Sequence, residues 1–133
     1  MKKILLDTNM LLAVYQFRVD IFSEIDRIAD FNYRIYVLDR TVGELENIVL
    51  KQKGKDREAA KIALQLLKIK NIEAISTNSR GKTDDMIAEY ASKEGFIVAT
   101  QDKDLKTKLI HLNVTLIVLR KKKFLALAND KGL

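Results

Sequence analysis

The sequence predicts an α/β fold: one domain built on a central, mainly parallel sheet of about five strands, with helices on both faces. Three observations predict it. Short apolar runs rich in Ile and Val alternate along the chain with longer segments of helical period. The 133 residues contain no proline, no repeat and no glycine-rich linker that would divide them. Hydrophobic residues make up 47% of the chain and are interspersed with charged ones throughout, which is the composition of a protein that buries a single core.

The elements follow in order. Residues 4–6, 35–38, 72–75, 96–99 and 114–119 are too short for buried helices and read as strands. Helical periodicity fills the intervals at residues 10–15, 20–29, 41–52, 55–69, 84–93 and 103–111. Strands separated by helices imply parallel pairing with crossover helices. Two loops stand out: residues 51–57, with Gly54 alone among polar side chains, and residues 76–83, which carry Arg80, Gly81 and Lys82. The domain is expected over residues 1–119, and residues 120–133, opening with Arg120-Lys121-Lys122-Lys123, are expected as a basic C-terminal tail of the same domain.

Composition removes several kinds of chemistry. The chain has no cysteine, which excludes disulfides, thiol nucleophiles and thiolate zinc sites. Its single histidine, His111, leaves no histidine cluster for zinc and no serine-histidine triad, and near a helix end it reads as a partner for the helix dipole. No apolar stretch approaches the roughly 18 residues needed to cross a bilayer. Met1-Lys2-Lys3 runs at once into a short Ile4-Leu5-Leu6 and then Asp7, which is no secretion signal, so a cytoplasmic protein without a membrane partner is expected. The net charge of +6 favours polyanions, and seven of the basic residues fall between positions 51 and 70. Solvated helix faces account for that run equally well.

The acidic residues carry more information. Asp7 ends the first strand, Glu44 lies in the first turn of the helix after the second, Asp84 opens the helix after the third, and Asp102 follows the fourth. In a parallel α/β fold, strand ends and helix starts share one edge of the sheet, so all four carboxylates reach one rim, where such folds bind ligands. Gathered there, they need a cation to offset their repulsion. Each also has a local role open to it. Asp7 and Asp102 can cap helices, Thr41-x-x-Glu44 has the form of a capping box, and Asp84 can complement a helix dipole. The helical face separates Asp84 from its neighbour: Ile87, Ala88 and Ala91 lie on the Asp84 stripe, whereas Asp85 points about 100° away.

These residues resemble a family. Ile4-Leu5-Leu6-Asp7-Thr8-Asn9, the Glu44-Leu45 pair, Asp84-Asp85-x-Ile87-Ala88 and Ile97-Val98-Ala99-Thr100-Gln101-Asp102-Lys103-Asp104-Leu105 look like the four motif stations of PIN-domain nucleases, in order and at the right places in the alternation. The resemblance spans nearly the whole chain. It is closest to stand-alone archaeal PIN proteins related to nucleases of small-subunit ribosomal RNA processing, and similar also to the toxin nucleases of toxin-antitoxin pairs. It implies a divalent-metal-dependent RNA endonuclease that leaves a 5′ phosphate and a 3′ hydroxyl. Asp7, Glu44, Asp84 and Asp102 match the family's metal-binding positions, Asn9 and Thr100 its accessory polar positions, and Asp104 and Asp85 are candidates for an outer shell. No zinc ribbon is present.

The chemistry implied is phosphodiester hydrolysis with Mg2+ or Mn2+, one or two ions per site. Asp7 and Asp102 would bind a first ion, Glu44 and Asp84 would bind a second or orient water, and Asn9 and Thr100 would hold ligands or phosphate by hydrogen bonds. The expected substrate is single-stranded RNA, contacted by Lys53, Lys55, Arg57, Arg80 and Lys82. The resemblance also admits a homodimer and an antitoxin or ribosomal partner. The alternative is a non-catalytic RNA-binding or assembly factor on the same fold. A phosphoacceptor switch is disfavoured, because Ser76-Thr77-Asn78 stands where its Asp would be. A haloacid-type phosphatase would need Asp where Asn9 is, and no GxxxxGK[ST] phosphate loop occurs.

Overall fold

The computed structural model describes residues 1–77 and 81–129. Twelve elements succeed one another among them: β1 (Lys2–Leu6), α1 (Thr8–Gln16), α2 (Ile21–Ile28), β2 (Tyr33–Leu38), α3 (Asp39–Lys51), α4 (Gly54–Ile69), β3 (Glu73–Ile75), α5 (Thr83–Glu94), β4 (Ile97–Ala99), α6 (Lys103–His111), β5 (Leu116–Arg120) and β6 (Phe124–Ala128). The six strands form one sheet in the order β3-β2-β1-β4-β5-β6. All neighbours are parallel except β5 and β6.

Alternation along β1 builds both halves of the core. Ile4 and Leu6 point to one face and join residues of α1, α2, α3 and α4, while Leu5 points to the other and joins α5 and α6. A strand buried on both faces is a continuous apolar run, which is why the first strand shows no polar alternation. Among the described residues no helix is long and apolar enough to cross a membrane.

The sixth strand is the departure from expectation, since it lies inside the segment read as a basic tail. Residues 116–120 turn back through Lys121 and Lys122, at φ 53° and 54°, and the Lys123 N–H closes the turn on the Arg120 carbonyl at 3.0 Å. A reversal with two successive positive φ values is ordinarily signalled by Asn-Gly. Here lysines occupy both positions, so the hairpin has no turn signature. The outer edge of β6 is closed by α2: Glu24 accepts from the Leu125 N–H at 3.0 Å, and Arg27 donates to the Leu125 carbonyl at 2.9 Å. At Leu125 the edge therefore has no free backbone group to offer another chain.

Candidate active site

Asp7, Asp84 and Asp102 sit at the starts of their helices, whereas Glu44, expected in a first turn, is the sixth residue of α3 because that helix begins at Asp39. Asp7 follows β1 and is the N-cap of α1, accepting from the Met10 N–H at 2.7 Å. Asp102 follows β4 and caps α6 through the Leu105 N–H at 2.9 Å. The capping role is therefore real for these two, and it consumes one oxygen of each.

For the other two the local role fails. The α3 helix begins at Asp39 rather than Thr41, no side chain caps it, and Thr41 is buried with its hydroxyl unpartnered. Glu44 instead accepts a hydrogen bond at 2.6 Å from Thr8, on the neighbouring helix α1. Nor does Asp84 cap α5, whose N-cap position is Lys82 and has no side-chain cap bond.

Together Asp7, Glu44, Asp84 and Asp102 line one cleft of about 430 Å³, with Thr8, Asn9, Asn47 and Thr83 as polar neighbours and Leu12, Ile48 and Ile87 as apolar wall. Behind them the buried Thr100 hydroxyl donates to the second oxygen of Asp7 and accepts from the Asp102 N–H at 3.1 Å. One hydroxyl thus ties the β1 and β4 ends of the cleft together. Burial pushes the Asp7 carboxyl up to about 6; the bonds from Thr100 and Met10 oppose that shift, and the charges of Asp102 and Asp84 add to it. Asp84 is raised as well, by burial first and then by the charge of Asp102, with Lys108 opposing and Glu44 and Asp85 adding to the rise. The four groups lie close enough to repel one another.

That repulsion is the test of fit for a cation. Among the described residues none of the four carboxylates takes part in an ion pair, since the pairs formed join Lys3 to Glu94, Arg27 to Glu24, Lys93 to Glu89 and Lys108 to Asp85. An all-oxygen donor set with unbalanced negative charge suits a hard divalent ion. As the side chains stand, with their oxygens turned to caps and hydroxyls, no three of them among the described residues form a closed ligand group. The donor chemistry fits, and ligation would require these side chains to turn from their caps.

The remaining candidates divide. Asn9 lines the cleft and Thr100 lies behind it. Asp85 faces away and holds Lys108 at 2.6 Å, and Asp104 is exposed on α6 and does not line the cleft. Lys53, Lys55 and Arg57 are exposed at the α3–α4 link and the start of α4, and Lys82 is exposed ahead of α5. Arg80 lies outside the described residues. Thr8, Asn47 and Thr83 were missed by sequence reasoning. Asn47, three residues after Glu44, shares its helical face and was detectable from that spacing.

The chain matches the family described as "PIN like domain" over residues 4–122. It is 35% identical over 125 residues to Ribonuclease VapC4 of Methanocaldococcus jannaschii, an alignment covering 93% of this chain and 95% of the relative. It is also 35% identical over 103 residues to Ribonuclease VapC9 of Archaeoglobus fulgidus, covering 77% and 71%. Among solved structures it resembles the PIN domain endonuclease Utp24, with a TM-score of 0.79, 21% identity, and coverage of 96% of this chain and 92% of the other. At that identity the likeness speaks for the fold.

Proposed function

The chain belongs to the PIN-like domain family, and from that premise we propose that it is a divalent-metal-dependent endonuclease of single-stranded RNA that leaves 5′ phosphate and 3′ hydroxyl ends. One observation carries the reading: four carboxylates carried by four different strand-helix units line one cleft, and none of them forms an ion pair among the described residues. Homology to two archaeal ribonucleases supports RNA as the substrate.

Asp7 and Asp102 would hold a first Mg2+ or Mn2+, and Glu44 and Asp84 would hold a second or orient the attacking water. When bound, such an ion supplies a nucleophilic hydroxide at neutral pH and relief of negative charge at phosphorus. The chain's own residues prepare the site. Thr100 holds the Asp7 carboxylate against β4, and Thr8 holds Glu44 against α1, which keeps both carboxylates at the cleft before anything binds. Asn9 presents an amide that can donate to a phosphate oxygen. Leu12, Ile48 and Ile87 exclude water from one side and strengthen the charge interactions within the cleft.

The biological setting is RNA processing or the toxin of a toxin-antitoxin pair, with an antitoxin or ribosomal partner and a homodimer as the assemblies to test. The deciding experiment is cleavage of a labelled unstructured RNA with Mg2+ or Mn2+, against EDTA and against Asp7→Asn. The expected result is internal cleavage by the wild type alone, and only with metal. Equal cleavage by both proteins would mean a contaminant. No cleavage with any divalent ion would overturn the reading in favour of an RNA-binding or assembly factor.

A further inference from the structure

A second cavity, of about 600 Å³, is lined by the second half of α1, Arg18 and the start of α4, and has helix α1 in common with the carboxylate cleft. Helix α1 gives Asn9 and Leu12 to the cleft and Tyr15 and Gln16 to the cavity. The α3–α4 hairpin does the same, with Glu44 and Asn47 before its turn facing the cleft, and Lys55 and Asp56 after the turn facing the cavity. The two therefore follow one another along α1, on either side of the hairpin's turn. From Asn9 to Gln16 the separation along α1 is about 10 Å at 1.5 Å per residue. That is the length of about three stacked nucleotides at roughly 3.4 Å each.

The two differ in charge. The first is acidic; the second is lined by Arg18 and Lys55 and flanked by Lys53 and Arg57, with Asp56 the opposing charge in its lining. The Lys122 ammonium rests 5.2 Å from the Phe17 ring, which brings the basic β5–β6 turn up to the same end of α1. Among the described residues none of Arg18, Lys53, Lys55 and Arg57 forms an ion pair. The Tyr15 ring in the cavity wall is half-buried, and among the described residues it stacks on no other ring. The ring packs against the core on one side, and cations without ion pairs around such a part-exposed ring are the composition that single-stranded nucleic acid uses, phosphates meeting the cations and a base meeting the ring.

We infer that this cavity is an RNA-anchoring site: Arg18 and Lys55 hold phosphates and Tyr15 stacks a base about three nucleotides from the bond that the acidic cleft would cut. The assignment rests on the ribonuclease reading for its substrate class but not for its chemistry, so it is tested where no cleavage occurs. Binding of a fluorescent unstructured RNA is measured in EDTA across a salt series. Arg18→Glu/Lys55→Glu and Tyr15→Leu, which keeps an apolar side chain against the core, are compared with wild type. Lys2→Glu/Lys93→Glu, at the opposite edge of the sheet, makes the same change in net charge. The double cavity variant should bind at least about tenfold more weakly, with the salt slope reduced by about 0.7 per lost contact. Tyr15→Leu should weaken binding about fivefold or more without altering the slope. The control pair should stay near wild type. Equal weakening in the control would reduce the effect to bulk charge and overturn the site. Unchanged affinity in the cavity variants would overturn it in favour of a protein partner. An RNA that binds as expected but is never cut would sink the nuclease reading and leave the anchor standing.

Discussion

Thr100 donates its hydroxyl proton to Asp7 across 93 positions of sequence, from the end of β4 to the end of β1. The Met10 N–H takes the other Asp7 oxygen, so a buried carboxylate is held on both sides before any ligand arrives. The arrangement trades solvation for position, and its consequences are measurable.

The first lies in the pH dependence of stability. Burial holds the Asp7 carboxyl at about 6 in the folded protein, whereas an unfolded Asp titrates near 3.9. Between those values the folded state keeps a proton that the unfolded state has lost. The resulting stability is fully present below about pH 4 and disappears as pH rises through about 6. In EDTA the wild type should lose up to about 3 kcal/mol over that window in urea titrations. Asp7→Asn should show no such loss, and parallel profiles for the two proteins would remove Asp7 as its source.

Asp84 and Asp85 are adjacent and should behave oppositely. Asp84→Asn removes a repelled carboxylate that caps nothing, so in EDTA it should be as stable as wild type or more so, while RNA cleavage is abolished. Asp85→Asn breaks an exposed pair with Lys108, which should change stability little and leave cleavage near wild type. Reversal of the two activity results would displace Asp84 from the site.

Metal binding should appear as thermal stabilisation. An ion at tenfold its dissociation constant adds about 1.4 kcal/mol, a rise of a few degrees in Tm for a domain of this size. Manganese should produce that rise in wild type and little of it in Asp84→Asn. Asp7→Ala and Asp102→Ala should also lose the rise, and because Asp102 caps α6 its replacement should cost about 1 kcal/mol in EDTA. A wild type indifferent to manganese would rule out the cation site.

The sixth strand depends on Glu24. Its carboxyl is held below the ordinary range by Arg27 and then by the Leu125 N–H, so its contribution is present above about pH 4.3 and is lost as pH falls through the lowered folded value. Glu24→Ala leaves that amide without its acceptor. We expect a loss of about 1–2 kcal/mol and faster hydrogen exchange at Leu125. Unchanged exchange would show that packing alone holds the strand.

The gathering of carboxylates was legible from order alone, because in a parallel α/β sheet a strand end and the next helix start must share an edge. The distinction between Asp84 and Asp85 was legible from the 100° turn between successive helical residues. Periodicity marked every helix and the five parallel strands. Strand order was not legible, and it is what sets β4 beside β1, so that Thr100, which the motif marked only as an accessory polar residue, becomes the partner of Asp7. The bond from Thr8 to Glu44 likewise depends on how α1 lies against α3, and it dissolved a capping box that the local pattern allowed. The β5–β6 hairpin was hidden because Lys121 and Lys122 fill left-handed positions without glycine, and tertiary anchoring by Glu24 and Arg27 offsets what the turn residues do not favour. Local periods decide which elements form, whereas contacts between residues tens of positions apart decide how those elements meet, and the second cavity and its cations exist only in that meeting.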